Sequence, residues 1–340
     1  LKKTETAPLF FSYTWDFLSE YLPNKVGRSP DTVESYRDSL TLFRKFLTED
    51  KHVSIAKFAF SDCTKDCTFD FRDYLKRNGN KPSTINVRLA ALRAYLNYAS
   101  DKDISIQSVA LAVSQVPPCK NTKEEKQILS ESALEAILSV PPKTKMGLRD
   151  RTIMVLLYDS AIRLSELLAV KLCDIKIDGN ISSILIHGKG SKERRVQLTE
   201  ESVGHLTDYL RVFHSDSPSD AYLFSTTIKD KTDKMSSGNV QRIVTHYADI
   251  VRKDNPDIPQ AVHPHMFRRT RATNLYQDGV ALELISAILG HANLETTKIY
   301  ASPSIEQLRS AQNSVPTPAK NEKPLWHGHE AEMARRCGIR

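Results

Sequence analysis

Residues Val116-Pro117-Pro118-Cys119-Lys120-Asn121-Thr122-Lys123-Glu124-Glu125-Lys126 carry no apolar period, two adjacent prolines and a run of charge. Such a stretch cannot cross a packed core, because proline removes a backbone donor and the charged side chains keep their water. It divides the chain into pieces that must each build a core of their own. The length of 340 residues is consistent with about two domains. The expected organisation is a helical domain over 1–115, a linker over 116–127, a larger domain over 128–303, and a C-terminal helix or tail over 304–340.

Before the linker the pattern is helical. Ser29-Pro30-Asp31 supplies a cap, a proline for the first turn and an acid for the positive helix end. Val33, Tyr36, Leu40, Phe43 and Leu47 then recur at helical spacing. A shorter helix is expected from Asp70 to Lys76, stopping at Asn78-Gly79-Asn80. Lys81-Pro82-Ser83-Thr84 opens another, with Ile85, Leu89, Leu92 and Leu96 as its apolar stripe. Lys81, Arg88 and Arg93 lie off that stripe, a basic edge suited to a phosphate backbone or simply a solvated face.

After the linker, Ser130 to Glu135 starts a helix, with a carboxylate placed to reach back to the cap, and Asp150 to Tyr158 reads as an apolar helix. Ile184-Leu185-Ile186 and Arg195-Val196-Gln197-Leu198 read as strands around a glycine-rich basic turn, His187 to Arg194. Helices dominate thereafter. The fold class is therefore mainly α with a small antiparallel β-sheet.

A formal charge of +7 favours a polyanionic partner. Five scattered cysteines, Cys63, Cys67, Cys119, Cys173 and Cys337, do not form a disulfide framework, and a reducing compartment is expected. Cys63 and Cys67 lack a second pair at zinc-site spacing, and His327, His329 and Cys337 read as a polar tail, so no metal is expected. No apolar run reaches membrane-spanning length.

The chemistry-bearing residues lie in the second half. They are Arg163 within Ala161-Ile162-Arg163-Leu164-Ser165-Glu166-Leu167, a lysine turn at Gly188-Lys189-Gly190-Ser191-Lys192-Glu193-Arg194, His265-Met266-Phe267-Arg268, Leu289-Gly290-His291, and Tyr300. Two guanidiniums can clamp the non-bridging oxygens of a phosphoryl group with charges that do not titrate away. A tyrosine can attack phosphorus, but its phenol needs a proton acceptor or electrostatic help at neutral pH. Histidines and a lysine can move the protons. Any one of these motifs alone would be weak; their order makes the case.

In these motifs, their order and their spacing, the chain resembles the tyrosine recombinase (phage integrase) family. The similarity spans about residues 128 to 303, with a weaker one to the family's core-binding domain over about 8 to 110. The resemblance implies two domains forming a clamp around DNA. It implies that Tyr300 attacks a DNA phosphate to give a 3′-phosphotyrosyl link, that Arg163 and Arg268 bind that phosphate, and that His265 is the tyrosine's acid/base partner. It implies that His291 hydrogen-bonds the phosphate, that Lys189 protonates the leaving 5′ oxygen, and that Glu166 orients the arginine and histidine. Lys81, Arg88, Arg93, Lys192 and Arg269 are further candidates for DNA contact.

No cofactor is implied. The implied partners are double-stranded DNA with specific sites and a homo-tetramer assembled on it, with strands exchanged through a Holliday junction. The segment Pro303 to Ala311 is expected to be helical and to dock on a neighbouring protomer. The implied setting is the bacterial cytoplasm, on the nucleoid, in the service of a mobile element.

Three departures from the family pattern stand out. Ala161 replaces the usual glycine, so a different backbone is expected there. Arg269 follows Arg268 where histidine is common, and Lys192 competes with Lys189 for the turn, the Gly-Lys-Gly match favouring Lys189. Two other readings are a type IB topoisomerase, which reseals the same strand, and a DNA-binding regulator without catalysis. The family-like first domain and the Leu-Gly-His motif weigh against the first, and the intact set of six catalytic residues against the second.

Overall fold

The computed structural model describes residues 8–120, 127–179, 181–188, 193–291, 293–300, 303, 305–314 and 328–338. Two compact units divide between Glu125 and Lys126. No described helix is long and apolar enough to cross a membrane.

In the first unit, α1 (Thr14–Asp16) runs on into a wider π-helical segment, Phe17–Lys25. α2 (Pro30–Lys45) starts where the serine and proline place it. Ser29 does not cap the backbone, however; its hydroxyl pairs with Thr32 Oγ1 at 2.9 Å. α3 (Lys65–Arg77) begins earlier than expected because Thr64 Oγ1 accepts the Cys67 N–H at 3.1 Å. α4 (Pro82–Lys102) buries Ile85, Leu89, Leu92 and Leu96 as its spacing requires, and α5 (Gln107–Ser114) packs back on it. The core is aromatic: the Phe10 ring lies 5.1 Å from Phe60, 5.2 Å from Phe43 and 5.3 Å from Tyr95.

The basic edge expected on α4 is corrected in part. Arg88 Nη1 donates to Ser35 O at 2.9 Å and Ser39 Oγ at 3.1 Å, and Arg93 Nη2 donates to Val116 O. Both are half-buried and tie helices and chain together, because a guanidinium at a helix–helix seam satisfies carbonyls there. Lys81 is exposed.

The linker is also narrower than 116–127. Val116 is buried, and the Asn86 amide clasps Cys119, donating to its carbonyl at 2.9 Å and accepting its N–H at 2.8 Å. At the other end, Leu129 N–H donates to Thr270 Oγ1 at 3.0 Å. The packed chain of the first unit thus runs through Cys119, and that of the second starts near Gln127.

In the second unit, α6 (Glu131–Ser139) is capped by Ser130, whose Oγ accepts the Ala133 N–H. The reciprocal bond does not follow, since alanine stands at the third helical position, where a carboxylate would have to be. α7 (Lys145–Asp159) is the central helix; it buries Ile153, Met154, Leu156 and Leu157 and packs against the later helices Glu200–Phe213 and Pro264–Gln277. α8 (Leu164–Ala169) leads into the sheet of β1 (Ile175–Lys176), β2 (Ser183–His187) and β3 (Glu193–Gln197), antiparallel in the order β1-β2-β3. Its register sets Ile184 opposite Val196 and Ile186 opposite Arg194.

α9 (Glu200–Phe213) follows, then a ribbon of β4 (Ser225–Ile228) and β5 (Lys231–Lys234) that the sequence did not announce. α10 (Ser237–Arg252), α11 (Pro264–Gln277) and α12 (Leu282–Leu289) complete the body. α13 (Ile305–Ser314) and α14 (Glu330–Arg336) lie beyond it. Gln307 of α13 donates to the carbonyls of Tyr276 and Gln277, which closes the end of α11 within the same chain. Trp326 lies outside the described residues.

Candidate active site

Arg163, His265, Arg268, His291, Asn293 and Thr296 line one cavity of about 320 Å³. These residues are spread over more than a hundred positions of sequence, and local rules explain how they meet.

α7 ends at Ser160, and the chain turns sharply at Ala161, whose φ is +50. The alanine adopts the left-handed conformation that glycine favours, held by complete burial in a small cluster with Ala272, Ile285, Leu289 and Tyr300. The turn aims the Ala161 carbonyl at Arg268. Arg163 then stands at the head of α8, where its N–H donates to Glu166 Oε2 and its Nη1 to Glu166 Oε1, both at 2.9 Å.

His265 and Arg268 sit one turn apart near the start of α11, so they share a face. Arg268 is 1% exposed, an unusual burial for a guanidinium. It donates to the carbonyls of Ala161 and Leu289 and, at 2.9 Å, to His291 Nε2. Burial and the charge of Arg163 pull its pKa down to about 10, so it remains a cation at neutral pH.

α12 stops at Gly290 in the left-handed conformation, φ +63, and the His291 N–H closes the helix on Ser286 O. Two short turns, Leu294–Thr296 and Lys298–Tyr300, bring Tyr300 back against the body. Tyr300 is 6% exposed, and its ring stacks on the His291 ring, with centroids 6.1 Å apart. His291 Nδ1 meets Thr297 Oγ1 at 2.8 Å. Burial, then Arg268 and Arg163, push its pKa down to about 4, so the ring is neutral at physiological pH.

Arg194, given no role from sequence, holds the group together. It forks onto Glu166 with bonds of 3.1 and 2.8 Å. Burial works against the Glu166 carboxylate, but the bonds from Arg194 and the Arg163 N–H outweigh it and set its pKa at about 2. The signal was legible on β3: Arg194 shares its face with buried Val196, and a charge on the core side of a strand requires a partner. Three guanidiniums (Arg163, Arg194, Arg268) against one carboxylate leave the pocket with surplus positive charge beside a buried phenol, an arrangement that binds an anion.

Of the other candidates, Lys189 and Lys192 lie outside the described residues, though the strands that carry their turn form as expected. Arg269 Nη1 donates to Gln127 O at 2.9 Å, which fastens the entry of the second unit. Thr297, missed from sequence, contacts the His291 ring, and Asn293 and Thr296 share the cavity wall.

Comparison with known proteins gives a consistent result. Residues 127–307 match the phage integrase family, and residues 16–103 match the phage integrase N-terminal SAM-like domain. The chain is 32% identical over 294 residues to tyrosine recombinase XerC of Staphylococcus epidermidis, covering 86% of this chain and 93% of that protein. It is 29% identical over 290 residues to tyrosine recombinase XerA of Thermococcus kodakarensis, covering 85% and 90%. Among solved structures, XerH recombinase bound to palindromic difH substrate in a post-cleavage complex has a TM-score of 0.67 at 19% identity, covering 87% of this chain and 82% of that one. The Tn1549 transposon integrase in complex with transposon right-end DNA also has a TM-score of 0.67, at 17% identity, covering 88% and 98%.

Proposed function

We propose residue roles from one premise: this chain belongs to the phage integrase family and is a tyrosine recombinase, a site-specific DNA strand transferase. Tyr300 Oη attacks phosphorus, the bond from phosphorus to the 5′ oxygen breaks, and a 3′-phosphotyrosyl link conserves the energy of the phosphodiester. The phenol proton passes to His265, and the leaving oxygen takes a proton from Lys189. Arg163 and Arg268 hold the non-bridging oxygens, with His291 as a further donor and Glu166 setting the arginine's aim. A 5′ hydroxyl from a partner duplex then attacks the link and releases the tyrosine.

The observation that carries this reading is the cavity where Arg163, His265, Arg268 and His291 meet beside the buried Tyr300 ring. Removing one preorganised donor to a transition-state oxyanion costs about a hundred- to a thousandfold in rate. Four copies acting on two duplexes through a Holliday junction, and work on the nucleoid, belong to the same proposal. α13 also meets its own α11 through Gln307, and its docking on a neighbouring protomer belongs to the same proposal.

The test is covalent trapping on nicked suicide duplexes drawn from the DNA flanking the gene, beside Tyr300→Phe. A denaturation-resistant adduct absent from the variant supports the reading, and sequencing the trapped DNA tells mobile-element ends from a chromosomal site. Duplex binding with no adduct from either protein points instead to the non-catalytic regulator.

A further inference from the structure

Two of the donors proposed for the phosphate, Arg268 and His291, bond to each other. Arg268 Nη2 can only donate, and it meets His291 Nε2 at 2.9 Å, so that nitrogen must offer its lone pair. The proton of the neutral ring therefore sits on Nδ1, and Thr297 Oγ1, at 2.8 Å, accepts it. A phosphodiester oxygen also only accepts. For His291 to bond one, Nε2 must carry hydrogen, and in the neutral ring Nδ1 must then find a donor.

The partner at Nδ1 decides whether that exchange is possible. A carboxylate or a backbone carbonyl there would lock the Nδ1–H form. A hydroxyl serves both forms, accepting from Nδ1–H and, after rotating, donating to a bare Nδ1. Thr297 is fully buried, so water does not take its place. Its carbonyl also accepts the Tyr300 N–H at 2.9 Å, so the hydroxyl stands in the same turn as the nucleophile.

We propose that Thr297 is a positioning residue whose hydroxyl lets His291 exchange tautomers when a DNA phosphate enters, converting Nε2 from the acceptor of Arg268 into a donor to the phosphate. Nε2 gains one proton and Nδ1 loses one, both exchanged with water while a local fluctuation exposes the half-buried ring, so the charge of the ring is unchanged. Arg268 Nη2 is freed in the same step to bond the phosphate. This rests on the proposed role of His291 as a phosphate donor.

The test uses the full chain, labelled with ¹⁵N-histidine, with the His291 signals identified by their loss in His291→Gln. The free protein is expected to show a protonated Nδ1 and a bare Nε2, and saturation with dimethyl phosphate, a diester with no proton to give, is expected to reverse them. Single-turnover adduct formation on the suicide duplex is expected to fall about tenfold in Thr297→Val with duplex affinity unchanged, and to stay near the parent rate in Thr297→Ser. An Nε2–H ring in the free protein, or a Thr297→Val rate equal to the parent while His291→Gln is impaired, overturns the proposal and leaves the role of His291 standing. An unimpaired His291→Gln overturns both.

Discussion

Replacing Gly290 by alanine is expected to cost more than its place at a helix end accounts for. Gly290 closes α12 at φ +63, and a methyl group there would stand 2.6 Å from Arg194 Nε and 2.7 Å from its Cζ. The left-handed conformation alone costs an alanine about 1 kcal/mol. Arg194 cannot step aside without loosening its fork on Glu166, and a charge-assisted hydrogen bond contributes about 1.5–3 kcal/mol net. The sum is about 3 kcal/mol, and in a unit of this size each kcal/mol moves Tm by about 2–4 °C, so the expected fall is roughly 6–12 °C. Scanning calorimetry on the transition of the second unit reads it. In an Arg194→Ala background the methyl meets no guanidinium, and the same substitution is expected to lower Tm by only about 2–4 °C. Equal falls in the two backgrounds would refute the argument that this glycine makes room for Arg194.

Acid should weaken the second unit in two stages. The His291 ring stays neutral down to about pH 4 when folded but takes a proton near pH 6.5 when unfolded, so the unfolded chain binds more protons in that window and stability falls as pH drops through it. Glu166 acts below that: its contribution is complete above pH 4.5 and is lost as pH falls toward 2. Tm followed against pH is expected to have a shallower slope between pH 4 and 6.5 in His291→Gln, with half-buried His263 supplying part of what remains; an unchanged slope would contradict the assignment. On the first unit, Arg88→Met is expected to lower Tm and leave the salt dependence of DNA affinity intact, because the guanidinium is committed to Ser35 and Ser39. Lys81→Ala should do the reverse, leaving Tm in place and shrinking the log–log salt slope by about 0.9 if it contacts one phosphate.

Sequence patterning located the elements that carry strong local signals. The proline at Pro82 and the stripe through Ile85, Leu89, Leu92 and Leu96 set α4, and the apolar run Ile184-Leu185-Ile186 ahead of a glycine-rich basic turn set β2 and β3. It failed where local signals are silent. β4 and β5 are exposed, polar and rich in threonine and lysine, and their turn puts Lys229 and Asp230 at positive φ with no glycine to announce it. The motif arginines and histidines were legible because phosphate chemistry limits which side chains can serve. Their supports were less so: Arg194 and Thr297 matter through partners 28 and 6 residues away, and no local pattern names those partners. Arg88 and Arg93 show the same limit, since a basic edge read along one helix does not reveal which carbonyls of a neighbouring segment lie within reach.

The most direct test of the account is to find which side chain holds the DNA. Adduct trapped on a suicide duplex, digested with trypsin and nuclease, should yield one modified peptide, Ile299 to Arg309, with the nucleotide on Tyr300. A nucleotide on any other residue, or an adduct that persists in Tyr300→Phe, would contradict the assignment of the nucleophile and with it the reading of the pocket.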